Sequence, residues 1–228
     1  IRTTIQHFRL SGRVCIPSCR SVIALVISRV PFRVSLFGGG TDYPVWYTER
    51  GGRVLGMTVK HYGYVVCQPV QPLWAHQYVV RYSHIERVAT VEEIQHPAVR
   101  ACLQYLDIPH GVEVTYSSDL PAMSGMGTSS AFTVGLLHAL HGIRGEMVGA
   151  EELALEALEV EQDVLKEAVG SQDQVWAAFG GLRVIDFGPG PNDLVVRPVL
   201  LPPSRIRELE QHLMLVFTGL QRQASVVA

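Results

Sequence analysis

Residues 119–131 read Asp-Leu-Pro-Ala-Met-Ser-Gly-Met-Gly-Thr-Ser-Ser-Ala, and this run leaves the backbone few options. Pro121 lacks the N–H of a strand ladder and stops the alternating segment that arrives over residues 111–116. Gly125 and Gly127 admit positive φ and let backbone approach a ligand with no Cβ between. Thr128, Ser129 and Ser130 then open a helix whose body, residues 131–140, is almost wholly apolar and therefore buried on most sides. The free N–H groups of a helix start, with the positive end of the helix dipole, make a site that suits phosphate, and hydroxyls at that point can reach a metal ion. The competing reading is a loop with an N-cap. A Walker A loop needs Gly-Lys-Ser/Thr, and a dinucleotide fingerprint needs a third glycine where Ser130 stands, so the loop belongs to neither class.

Before this loop, residues 28–37 alternate Val30, Phe32, Val34 and Leu36 with Arg29, Arg33 and Ser35, the period of a half-buried strand. Gly38, Gly39 and Gly40 end it, and Thr41 and Asp42 follow. The pattern predicts further strands over residues 54–59, 62–68, 77–82 and 111–116, with helix after Val91 through Leu106. Beyond the loop helix it predicts a second helix over 149–168, a helix break at 170–174, a short apolar segment over 175–179, strands at 182–187 and 194–200, a helix at 203–211 and a strand at 213–218. Residues 1–27 carry Arg2, Arg9, Arg13 and Arg20 and a short apolar run. That run is too short to span a bilayer, and the segment reads as a poorly structured extension.

In the helix over 149–168, Ala154, Ala157, Leu158, Leu165 and Ala168 form one apolar stripe, and Glu161 falls within it. Glu152, Glu156, Glu159 and Asp163 point away and read as a solvated face. An inward carboxylate is different, because burying an unpaired charge costs several kcal/mol or more. Glu161 therefore needs a buried Arg or Lys, a set of donors, or a metal ion.

At 228 residues and 47% hydrophobic, the chain can bury a sizeable core. A formal net charge of -2 gives no electrostatic reason to expect nucleic acid or an anionic membrane as partner. Cys15, Cys19, Cys67 and Cys102 form no Cys-x-x-Cys pair and read as reduced thiols of a cytoplasmic protein. His138 and His141 share a helix face without a third ligand nearby and read as structural.

Three separated segments resemble the GHMP kinases, which phosphorylate small metabolites with ATP. Residues 30–42, Val-Pro-Phe-Arg-Val-Ser-Leu-Phe-Gly-Gly-Gly-Thr-Asp, look like the N-terminal sugar-binding motif of the sugar kinases in that family. The loop resembles their second motif. Glu161 with Asp173, in Gly-Ser-Gln-Asp-Gln, is similar to their metal carboxylate and active-site aspartate. The Gly-Gly-Gly-Thr-Asp and Gly-Ser-Gln-Asp-Gln versions, with Phe217-Thr-Gly219, look most like the D-glycero-D-manno-heptose 7-phosphate kinase branch; fucokinases share glycines in the first motif and stand as the alternative. A Glu-His pair occupies the place of Gly39 and Gly40 in galactokinases.

The resemblance implies an α/β fold, a two-layer ribosomal protein S5 domain 2-like arrangement with a mixed sheet and the helices of Ser130 and Glu161 on one face. It implies an ATP site over Pro121, Ser124, Gly125, Met126, Gly127, Thr128, Ser129 and Ser130, with Mg²⁺ held by Ser130 and Glu161. Asp173 would act as general base or orienter beside Arg33, and Gly39, Gly40, Thr41 and Asp42 would meet the sugar. A plain Arg33–Asp173 ion pair is the structural alternative. The family's third, glycine-rich motif has no counterpart before Ala228. The expected division is an extension over 1–27, an N-terminal ATP-binding domain over 28–190 and the start of an incomplete C-terminal domain over 191–228. A non-catalytic nucleotide or sugar-phosphate binding module is the rival from another class. A decarboxylase on the same fold fits less well with Thr41 and Asp42.

Overall fold

The computed structural model describes residues 25–216 apart from Pro72, Pro109, Met123, Pro191 and Asn192. Residues 1–24, with Cys15 and Cys19, and the Phe217-Thr-Gly219 segment lie outside them. Seven strands are described: β1 (Val26–Phe37), β2 (Gly52–Pro69), β3 (Tyr78–Arg81), β4 (Ile85–Val88), β5 (Val112–Ser118), β6 (Leu182–Phe187) and β7 (Leu194–Pro198). The helices are α1 (Pro44–Arg50), α2 (Pro97–Tyr105), α3 (Thr128–Arg144), α4 (Ala150–Leu158), α5 (Gln172–Phe179) and α6 (Pro203–Gln211). A π-helical segment, Glu159–Val164, continues α4.

β2 is the spine of one mixed sheet ordered β4-β3-β5-β2-β6-β7, with β1 also paired to β2. Its first half pairs with β6 and its second half with β5, both antiparallel, while β3 and β5 run parallel. The two strands expected over 54–59 and 62–68 are thus one. The pattern breaks because the β1 register steps from Pro31↔Tyr62 to Arg33↔Thr58, an irregularity of the kind that bends a strand without ending it. β4 went unread, its four residues being too few for a period to show. The strand expected over 213–218 is not formed by residues 213–216.

The helices build the second layer. α3 lies against β1 and β2 and is surrounded by α2, α4 and α5, which is why eleven of its residues, from Ser130 to His141, are buried. Gly135 makes that approach possible, since an added Cβ would sit 3.0 Å from Val30 and 3.1 Å from Val65. The helix expected over 149–168 stops earlier, at Val164. The chain turns out of it through Lys166 at φ 55, so Ala168 leaves the apolar stripe and is exposed. Residues 170–174, expected as a break, instead contain the first turn of α5. This helix buries Val175 and Trp176 against Val54, Ala154, Ile185 and Phe187.

The expected boundaries at 27 and 190 fall close to the ends of sheet strands. β1 begins at Val26, opposite Cys67, and β7 pairs with β6 across the turn at Gly188–Gly190. α6 follows with none of its residues buried. Among the described residues no helix is long and apolar enough to cross a membrane.

A Cβ on Gly56 would lie 2.5 Å from Trp176 Cζ2 and 2.7 Å from Val34 O, both immobile in the core. Gly56→Ala should cost about 1–3 kcal/mol by overpacking. A urea midpoint lowered at unchanged slope is the expected result.

Candidate active site

The loop expected to bind phosphate keeps an open rim. Gly125 (φ 75) and Gly127 (φ 71) take the left-handed conformation reserved in practice for glycine. Pro121, Ala122, Gly125 and Ser129 are exposed, whereas Met126 anchors the loop in the core and Ser130 is buried. Gly127 is the N-cap of α3 and has no side chain with which to cap it. The first-turn N–H groups of Thr128, Ser129 and Ser130 are the ones an α-helix leaves without internal partners, and they face the positive end of a 17-residue helix.

Glu161 lies beneath this helix start. Its carboxylate is 1% exposed, and its Oε2 accepts a hydrogen bond from Ser130 Oγ at 2.9 Å and one from the Gln174 side-chain amide. Its Oε1 is buried with no partner. Of the three partners open on sequence grounds, the structure supplies a donor set and, among the described residues, no buried Arg or Lys, and it leaves one carboxylate oxygen bare. Burial pushes the Glu161 carboxyl up to about 7, against the pull of the Thr133, Ser130 and Gln174 side chains. The donors present do not compensate an ionised carboxylate, so a cation fits the orphaned oxygen. A hard cation such as Mg²⁺ takes oxygen ligands and draws the rest from phosphates and water. Among the described residues no group of three or more His, Cys, Asp or Glu could hold a metal.

The π segment accounts for the placement of Glu161. Leu165 N bonds to Val160 O, five residues back, and the wider turn sends adjacent side chains to different tasks. Glu161 points under α3, while Gln162 Nε2 donates to Ser171 Oγ at 2.9 Å and to Val169 O at 3.2 Å. Such π turns recur at functional sites.

Asp173, in the first turn of α5, meets Arg33 of β1 through a two-pronged ion pair, Nε to Oδ1 at 2.6 Å and Nη2 to Oδ2 at 2.7 Å. The third guanidinium nitrogen, Nη1, donates to Gly125 O at 2.7 Å, and Arg33 N donates to Met126 O at 3.1 Å. One arginine therefore ties the aspartate to the glycine loop, and the fork geometry fixes direction as well as distance. An added Cβ on Gly127 would lie 3.1 Å from Asp173 Oδ2 and 3.2 Å from Arg33 Cγ. Gly127 is required both for its φ and for this contact.

Asp42 closes the far side. It is 1% exposed, and its Oδ1 accepts from Gly40 N at 2.9 Å while Oδ2 is buried without a partner. Burial foremost, then the charge of Asp173, raises its carboxyl above the usual range against the backbone donors. A Cβ on Gly170 would fall 2.0 Å from that Oδ2, and Ser171 N donates to Asp42 O at 2.9 Å. Thr41 is a stitch in the loop: its hydroxyl donates to Gly38 O and lies 3.1 Å from both the N and the O of Arg53. Ser35 Oγ donates to Gln172 Oε1 at 2.9 Å, and Gly39 sits beside both side chains.

All fifteen residues singled out from the sequence are described, and the contacts draw several of them into two groups: Ser130–Glu161 under the helix start, and Arg33–Asp173–Gly125–Gly127 with Asp42 and its glycines. Sequence reasoning missed Gln174, Gln162, Ser35, Gln172 and Gly170. Ser35 had a signal, since it shares the strand parity of Arg33; the others depend on how α4 and α5 meet. Glu156, read as a solvated acid, instead holds His141 Nε2 at 2.9 Å, and Glu146 holds Nδ1 at 2.8 Å. That face of α4 packs on α3, so the histidine is fully engaged in structure.

Residues 89–181 match the GHMP kinases N terminal domain. The chain is 30% identical over 220 residues to the bifunctional fucokinase/GDP-fucose pyrophosphorylase of Arabidopsis thaliana, covering 87% of this chain and 20% of that protein. It is 26% identical over 207 residues to the D-glycero-alpha-D-manno-heptose 7-phosphate kinase of Campylobacter jejuni, covering 86% of this chain and 60% of that protein. A crystal structure of a D-glycero-D-manno-heptose 1-phosphate kinase from Bacteriodes thetaiotaomicron superposes with a TM-score of 0.72 at 25% identity, covering 82% of this chain and 63% of the other. Residues 89–181 carry the N-terminal domain of the GHMP kinase family. The chain spans less than two thirds of each of these relatives.

Glu161 supplies a pH signature. Its carboxyl moves from 4.5 to about 7 on folding, so between those values the folded state keeps a proton that the unfolded chain has released. The stability of the metal-free protein should fall as pH rises through this window, by about 3 kcal/mol in all, and level off above it. Glu161→Gln should flatten that component. Urea midpoints at pH 5 and pH 8 with chelator, wild type against variant, measure it, and equal pH slopes would refute the burial argument.

Proposed function

We propose that this chain is the nucleotide-binding part of an ATP-dependent sugar kinase whose acceptor is the anomeric hydroxyl of a sugar phosphate, D-glycero-D-manno-heptose 7-phosphate first among them. The observation that carries the reading is the bare Oε1 of Glu161 beneath the open N-terminus of α3, with Ser130 between them. An anion-seeking helix start above a cation-seeking carboxylate suits a metal–nucleotide.

The residues divide the work. The backbone of residues 124–130 receives the phosphates, and Ser130 and Glu161 would hold Mg²⁺, which neutralises phosphate charge when bound. Arg33 holds both oxygens of Asp173, and each keeps a lone pair to orient the sugar hydroxyl and accept its proton. That oxygen attacks the γ-phosphorus, the bond to the β-γ bridging oxygen breaks, and ADP carries away the released charge. A loose phosphoryl-transfer transition state asks for positioning and charge neutralisation, and this short list meets both needs. Asp42, with Gly39 and Gly40, would meet sugar hydroxyls through its unpartnered Oδ2. Thr41 shapes that loop.

The 30% identity to the Arabidopsis fucokinase protein favours a second reading, a free sugar such as fucose as acceptor. We further propose the division into an N-terminal domain over 28–190 and the beginning of a second domain over 191–228, in which β7 still joins the sheet through β6 while α6 and the segments on either side of it leave Leu200, Ile206, Met214 and Leu215 exposed. A cytoplasmic setting is part of the proposal. Cys67 and Cys102 are buried free thiols, and burial raises the former to about 12.

A panel of free and 7-phosphorylated hexoses and heptoses with ATP should give ADP release with the heptose phosphate. Turnover of fucose alone would transfer the assignment to the second reading, and nucleotide binding without any turnover would leave a binding module. Asp173→Asn should lower kcat by about 10²–10⁴, with a smaller change in Mg·ATP affinity by calorimetry, because Asp173 meets the glycine loop only through Arg33 and Gly127 and touches neither Ser130 nor Glu161.

A further inference from the structure

Gln174 is a polar side chain fully buried in the core, at 0% exposure. It lies one residue beyond Asp173, and its side-chain nitrogen donates to Glu161 Oε2, the same oxygen that accepts from Ser130 Oγ. Its own Oε1 is buried without a partner. Leaving an amide oxygen unsatisfied costs about 1–3 kcal/mol, and Gln174 fills no gap that an apolar side chain of its length could not fill. The compensation lies in what the N–H does to Glu161.

A carboxylate has two oxygens, and either can face a ligand. Here the Ser130 and Gln174 hydrogen bonds converge on one, while the nearby Thr133 hydroxyl donates to Ser129 O at 3.4 Å, so the side chain is fixed about its last torsion and Oε1 is left without a hydrogen bond. We propose that Gln174 is a positioning residue that locks the Glu161 carboxylate, presenting Oε1 as the single free oxygen for the nucleotide's divalent cation and sparing the Ser130 hydroxyl from doing so alone. This rests on the kinase reading above. It adds a coupling that the reading lacks: Gln174 and Asp173 are neighbours on the first turn of α5, so the helix that orients the acceptor also fixes the ligand of the cation. The alternative, that Gln174 only fastens α5 to α4, makes no distinction between metal-bound and metal-free nucleotide.

The test exploits that distinction. Gln174→Met keeps length and removes the donor, and Gln174→Asn keeps the amide but withdraws it by one methylene. ATP binding to wild type, to both variants and to Glu161→Gln is measured by calorimetry with Mg²⁺ and again with chelator, together with the melting point of each. Mg·ATP affinity reduced about tenfold or more in Gln174→Met, less in Gln174→Asn, with metal-free ATP affinity unchanged, is the expected result. Equal losses with and without Mg²⁺, or none, would overturn the positioning role. If Gln174→Met does not fold, Gln174→Asn is read by the same criterion. If Glu161→Gln also binds Mg·ATP normally, the kinase reading of this site fails; if only the Gln174 variants do, this inference fails alone.

Discussion

A carboxylate under a helix start sets the terms for the rest of this molecule. Glu161 is almost wholly excluded from water, and two donors on one oxygen do not balance the cost of its charge. Its neighbourhood must therefore be rigid, and burial holds the carboxyl protonated up to about 7 in the absence of a cation. The rigid part is visible: α3 is buried along most of its length, α4 and α5 pack on it, and the π turn aims the side chain inward.

The same three helices carry the second half of the site. α5 begins at the point where the Gly170–Ser171 corner passes over Asp42, and its first turn offers Gln172 to Ser35, Asp173 to Arg33 and Gln174 to Glu161. Three consecutive residues thus bridge two elements, β1 through Ser35 and Arg33 and the π segment through Glu161. Gly170 has no alternative, since any side chain would occupy the position of Asp42 Oδ2. Arg33 extends the link to the glycine loop through Gly125 O. The glycine loop, Asp173 and the loop of Asp42 are consequently one hydrogen-bonded unit, which would suit a reaction that depends on position more than on covalent chemistry.

Much of this was legible in the chain itself, and unevenly so. The glycine loop, its apolar helix and the alternation of β1 are local patterns set by backbone sterics and periodicity, so residues 119–140 and 28–37 could be read directly. Glu161 was legible because a charged residue in an apolar stripe is a local contradiction. The single long β2 was not, because its break is a register step imposed by β1. Nor was the early end of α4, because the π turn and the left-handed Lys166 are held by tertiary contacts at Ser171 and Val169 that override helix periodicity.

Sequence alone determined which residues are candidates for the chemistry: a loop that must leave N–H groups open, an acid that must be buried, an arginine and an aspartate of suitable type. Tertiary structure alone decided their geometry, because the pairs lie 31 residues apart for Ser130–Glu161 and 140 apart for Arg33–Asp173. No periodicity reports contacts at such separations. Which carboxylate oxygen is left bare is fixed where α3, α4 and α5 meet.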